Sequence, residues 1–142
     1  MEPAAQPYPD RGDWGWLACD REGQLALFVT GGQGPVPAQT LDPSYPEDVE
    51  DHLIDLPTMS DVNRVTSWPD TEVPERGVFL YDWNDRDDAY ELVLAPYRPR
   101  TLDQLPPDLA EAARSIRFSK IAFADAWLID VRGHMPCREA SR

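Results

Sequence analysis

A chain of 142 residues has the common length of one domain built on one hydrophobic core. Twenty-six Asp and Glu stand against thirteen Lys and Arg, a formal net charge of -13. That balance argues against nucleic acid and anionic membrane as direct ligands, since both demand local positive charge.

Residues 1–13 are Pro-rich and polar and read as a flexible N-terminal arm, with neither the basic start nor the apolar stretch of a signal peptide. No later run approaches the roughly 18 apolar residues that span a bilayer. The globular domain is expected over 14–133. Trp14–Asp20 and Gln24–Thr30 read as a pair of strands, joined by a turn in which Gly23 is available for a positive φ. Both strands are apolar on both faces, which predicts a central position covered on each side. Gly31-Gly32-Gln33-Gly34-Pro35 follows. It lacks the Lys-Ser/Thr of a phosphate loop and the dinucleotide glycine spacing, and it reads as a turn with unusual backbone angles.

From Ser44 the spacing predicts a helix. Val49, Leu53 and Leu56 form its apolar stripe, Pro57 ends it, and Glu47, Asp48, Glu50, Asp51 and Asp55 form an acidic outer face. The stretch 61–74 is ambiguous, with Val62–Trp68 fitting either a helical turn or an edge strand. Gly77–Trp83 and Ala89–Ala95 read as a second hairpin around the polar loop Asn84-Asp85-Arg86-Asp87-Asp88. This loop superficially matches a calcium loop at Asp82 and Asn84. However, Arg86 and Asp87 replace a ligand and the sharp-turn Gly, and Val93 stands where the bidentate Glu belongs. After Pro106-Pro107, Leu109, Ala112, Ala113 and Ile116 mark a short helix. Phe118–Val131 is expected to hold one more strand, and 134–142 to form a frayed C-terminal tail.

Chemistry is sparse. Cys19, His52, His134 and Cys137 are the whole supply of His and Cys ligands for zinc and are scattered between a strand, a helix and the tail. No Ser sits in a nucleophile elbow. The sequence is therefore read as that of a non-enzymatic protein with no catalytic residue, no metal and no cofactor. Two cysteines make no disulfide framework, and the cytoplasm is the expected location. The two densest carboxylate groups, the helix face and Asp85, Asp87 and Asp88 of the hairpin loop, are the candidate partner-binding residues. Trp83, and more distantly Trp68, would supply an aromatic anchor. The expected architecture is α+β: a mainly antiparallel sheet of about five or six strands with two or three short helices.

The run from Trp14 to Pro37 resembles the opening of small acidic bacterial proteins, with a tryptophan-bearing strand, an Asp-x-x-Gly turn and a second strand ending in Thr-x-Gly-x-Gly-Pro. In size and acidity the chain is similar to cognate immunity proteins of toxin systems. That resemblance implies a basic protein partner, a toxin domain whose active site is plugged, and transfers no catalytic residue. The alternatives are a small metal- or nucleotide-dependent hydrolase and a structural adaptor subunit.

Overall fold

The two apolar hairpins form where their turn chemistry places them. The structure is a computed structural model that describes residues 15–60, 62–64 and 71–138. The arm at 1–13, Trp14, Trp68 and the tail beyond 138 lie outside the described residues. In chain order the elements are β1 (Gly15–Asp20), β2 (Leu25–Val29), β3 (Val36–Pro37), α1 (Val49–Ile54), β4 (Val62–Arg64), α2 (Glu72–Glu75), β5 (Val78–Asn84), β6 (Ala89–Pro96), α3 (Pro107–Arg114), β7 (Arg117–Phe118), β8 (Leu128–Ile129) and β9 (Cys137–Arg138). Short 3-10 turns at Ala38–Leu41, Leu102–Gln104, Phe123–Asp125 and Val131–Gly133 fill the connections.

The architecture is α+β, with a sheet in the order β4-β6-β5-β2-β1-β7, and β8 also paired to β6. β3 and β9 form a separate two-stranded ladder. The sheet is mixed, not mainly antiparallel as the hairpin pattern predicts. β1–β2, β5–β6, β4–β6 and β6–β8 are antiparallel, but β2–β5 and β1–β7 are parallel. The cause is the long return from Thr30 to Gly77. It carries the chain back along the sheet, so β5 begins beside the first residue of β2 and runs with it, as parallel neighbours require.

This parallel joint determines the core. Trp16 lies opposite Phe28, and Phe28 lies opposite Tyr81, so the register lines up one aromatic row across three strands. Trp16 and Phe28 stack with centroids 4.2 Å apart, and Phe28 and Tyr81 at 4.8 Å. Phe118, Phe123 and Tyr90 close around Phe28. Leu17, Leu27 and Leu80 make the corresponding row on the other face. All six row residues are buried, as two-sided apolar strands predict. The helical stripes are buried too: Val49 and Leu53 of α1, and Leu109, Ala112 and Ala113 of α3 with Ile116 just beyond it. Both helices pack on β1, and α2 packs on β5 and β6. The final apolar segment is broken between β7, a 3-10 turn and β8, each too short to show a strand period. Of the C-terminal tail, Cys137–Arg138 pair with Val36–Pro37, and His134 packs edge-on to Phe118.

One edge is closed by a side chain. Cys19 N–H donates outward to Ile116 O while Asp20 N–H donates inward to Gln24 O, so alternation turns the amide and carbonyl of Leu17 outward. β7 is too short to reach them. The Tyr45 hydroxyl accepts from Leu17 N–H at 2.8 Å and donates to Leu17 O at 2.7 Å. Tyr81 likewise donates to the carbonyls of Phe123 and Ala126.

Burial pushes both phenols well above the ordinary tyrosine range, and pushes the Cys19 thiol up as well. The folded chain therefore keeps protons that the unfolded chain releases above about pH 10 for Tyr and about pH 8.5 for Cys. Stability is fully present below that window and falls as pH rises through it. Unfolding free energies from urea titrations should hold from pH 6 to 8 and then decline, by up to about 1.4 kcal/mol per pH unit for each tyrosine. Tyr45→Phe should flatten that decline; an unchanged alkaline slope in this variant would remove Tyr45 from it.

Candidate partner-binding surface

Helix α1 is shorter than its sequence pattern predicts. Asp42 intercepts the start: its Oδ1 accepts from Ser44 N–H and from the Ser44 hydroxyl, and these bonds hold its carboxyl below the usual range. Regular helix begins only at Val49. With Val49 and Leu53 facing inward, Glu47, Asp48, Glu50, Asp51 and Asp55 are all exposed, as is His52. Among the described residues no ion pair reaches Glu47, Asp48, Asp51 or Asp55.

The hairpin loop is built by Asn84. Its Oδ1 accepts from Arg86 N–H and Asp87 N–H, and its Nδ2 donates to Asp87 Oδ2 at 3.0 Å and to Glu91 Oε1 at 3.1 Å. This amide-centred turn accounts for the Asp- and Asn-rich composition without a cation. The three loop acids have different duties. Asp85 is exposed and makes no polar contact among the described residues. Asp87 is exposed but bonded to Asn84. Asp88 has φ 54° and receives Arg132 Nη2 on both its carbonyl and its Oδ2, the latter at 2.7 Å. Arg132 Nε also reaches Asp130 at 3.2 Å. Asp88 thus ties the hairpin to the turn at Val131–Gly133 and is part of the fold as well as of the surface.

Trp83 is only half-buried, yet its ring is used in packing. It meets Tyr90 edge-on at 5.2 Å and lies beneath the glycine loop. A Cβ on Gly34 would stand 2.5 Å from the Tyr90 hydroxyl and 3.1 Å from the Trp83 ring, which is why glycine is required there. The Tyr90 hydroxyl donates to Pro35 O, and Thr30 O accepts from the amides of Gln33 and Gly34. The Gly31–Pro35 loop is thereby folded onto the aromatic layer, as a turn would be.

The two acidic groups do not merge at the C-terminal end of α1. Leu56 O is bonded by Arg76 Nε and Pro57 O by Arg100 Nη2, both beside the first residue of β5. The hairpin loop follows the last residue of β5. A seven-residue strand rising about 3.3 Å per residue separates the two, on the order of 20 Å.

Two further features were not read from sequence. A cleft of about 510 Å³ lies between the turn at Ala38–Leu41 and α3, lined by Gln39, Tyr45, Asp42, Asp108 and Glu111 among others. Its carboxylates suit a cationic group and would repel a phosphate. The second is Trp127, 61% exposed beside Leu128 at 50%. Trp127 does not stand out in sequence, because Phe118–Val131 reads as one apolar segment. Among the described residues no group of three His, Cys, Asp or Glu is placed to hold a metal ion, and no helix is long and apolar enough to cross a membrane. No family model, curated protein or solved structure matches this chain.

Proposed function

We propose that this protein is a non-enzymatic cytoplasmic binding protein that neutralises a basic protein partner, in the manner of an immunity protein that occludes a toxin's active-site cleft. The observation that carries this reading is the solvent exposure of the α1 and hairpin-loop carboxylates in a chain of net charge -13. Such a field speeds encounter with a positive surface and disfavours wrong partners. Toxin domains that act on nucleic acid or nucleotides present basic clefts, which an acidic surface complements.

The test is co-expression with a toxin domain, should a neighbouring gene encode one. Growth should be rescued, and the purified pair should associate at a rate that falls at least tenfold between 20 and 500 mM salt, conditions that shrink the screening length several-fold. Asp85→Lys should slow association while leaving the melting temperature unchanged, because an exposed and unbonded charge contributes little to folding. Absence of both rescue and salt-dependent association would overturn the proposal.

A further inference from the structure

We infer that the β8 edge of the sheet, centred on Trp127 and Leu128, is the docking surface for a basic protein partner; the inference rests on the binding function proposed above and names where that binding occurs. Trp127 is 61% exposed, whereas Trp16 is fully buried and Trp83 is half-buried. Leu128 beside it in the chain is 50% exposed as well, and exposed apolar patches rimmed by polar residues mark interaction sites.

The element is rigid. Trp127 O accepts from Leu92 N–H at 2.8 Å, and Ile129 pairs with Tyr90 and is 1% exposed. On the other side Ala126 O accepts the Tyr81 hydroxyl at 2.7 Å. The backbone of the exposed pair is therefore held from both flanks, so binding need not order the main chain there. Leu128 stands opposite Glu91, and the Leu92–Trp127 bond directs the amide and carbonyl of Leu128 away from β6.

The surroundings specify the partner. Glu91 is linked through Asn84 to Asp87. Asp125 lies two residues before Trp127 and Asp130 two residues after Leu128, and both are exposed. Arg132 joins Asp130 to Asp88, so the hairpin loop and this edge are one continuous surface. Among the described side chains the cations there are Arg86 and Arg132, outnumbered by the carboxylates of Asp85, Asp87, Asp88, Glu91, Asp125 and Asp130. Exposed apolar side chains on an edge flanked in sequence and register by carboxylates fit a partner that offers apolar contacts rimmed by Lys and Arg. A second copy of this chain would bring its own charge of -13 to the contact and is disfavoured.

The test uses three labelled twelve-residue peptides, alternating Arg with Leu, Arg with Ser, and Glu with Leu. Fluorescence anisotropy at 50 mM salt should show the Arg–Leu peptide binding tightest and the Glu–Leu peptide not binding. Trp127→Ser/Leu128→Ser should weaken the Arg–Leu peptide at least tenfold and leave the Arg–Ser peptide within twofold. Leu128→Lys alone serves as the second variant if the double substitution does not fold, and should weaken the Arg–Leu peptide at least fivefold. Equal Arg–Leu affinity in the folded variants and the parent would overturn this edge as the docking surface while leaving the binding function standing. Failure of every Arg peptide to bind the parent would remove the binding function itself, and this inference with it. Self-association of the parent that the substitutions abolish would assign the edge to a second copy and equally overturn the proposal.

Discussion

Replacing Arg100 with methionine should lower the unfolding free energy by about 2–4 kcal/mol, among the largest effects expected of any single polar position. Arg100 is 7% exposed, and among the described residues no carboxylate pairs with it. Its guanidinium is satisfied by carbonyls alone: Nε donates to Arg76 O at 2.9 Å, Nη1 to Gln104 O at 3.2 Å and Nη2 to Pro57 O at 2.8 Å. Burial draws its pKa down from the ordinary arginine value, the sign of a cation held at a cost. Methionine would remove that cost and fill much of the same volume. It would also leave three carbonyls from separate segments without their donors, each worth about 1–3 kcal/mol if it stays dry. The second effect outweighs the first unless water enters. Arg100→Lys should fall between parent and methionine, because one ammonium cannot reproduce a planar fork aimed in three directions. Chemical denaturation at pH 7 decides the matter, and a methionine variant as stable as the parent would show that the three carbonyls find water.

The same residue shows why part of this fold is hidden in the sequence. Arg98 and Arg100 flank Pro99 and look alike; one is exposed and the other joins the segment after α1, the α2–β5 turn and the segment before α3. Local rules located what is local. The hairpin strands β1, β2, β5 and β6 fall within about a residue of their predicted bounds, since turn residues and apolar runs specify them. Val49 and Leu53 of α1 and the stripe of α3 are buried as their spacing predicts, whereas Leu56, expected on the same stripe, lies past the end of α1 and is only half-buried. How the hairpins join was not local. The parallel pairing of β2 with β5 depends on a 48-residue excursion, from Thr30 to Gly77, whose net direction no periodicity records.

The candidate surface was legible to a similar depth. Carboxylates on the polar side of an apolar stripe had to face water, and those of α1 do. The division of labour within the hairpin loop was not visible, because Arg132 is 44 residues from Asp88 and nothing near either one announces the other. Trp83 looked like an anchor for its polar neighbours, yet Gly34 brings a loop down onto its ring. Trp127, set in an apolar run, looked like core and lies at the surface. Exposure of a single aromatic is decided by where the sheet ends, which is a tertiary fact.

Asp20 joins the local and the distant in one side chain, and its removal should cost about 3 kcal/mol or more. The carboxylate is fully buried. Oδ1 accepts from Glu22 N–H and Gln24 N–H, both at 2.9 Å, and so shapes the β1–β2 turn in which Gly23 takes φ 80°. Oδ2 accepts from Phe123 N–H at 2.9 Å, from 103 residues away, and pins the turn that seats Phe123 against Phe28. Two substitutions separate these duties. Asp20→Asn keeps one oxygen for the turn but presents an amide N–H₂ to the Phe123 donor, so the long-range bond is lost and the hairpin is kept. Asp20→Ala loses both and leaves a buried N–H at Phe123 without an acceptor. The expected order of stability is parent, then Asn lower by about 1–3 kcal/mol, then Ala lower still. Amide hydrogen exchange provides the finer test. In the Asn variant protection should fall at Phe123 and stay near parental at Gln24, whereas Ala should lose both. Parental protection at Phe123 in the Asn variant would show that the amide flips to satisfy the distant bond, and the turn at Glu22 and Gln24 should then lose its protection instead.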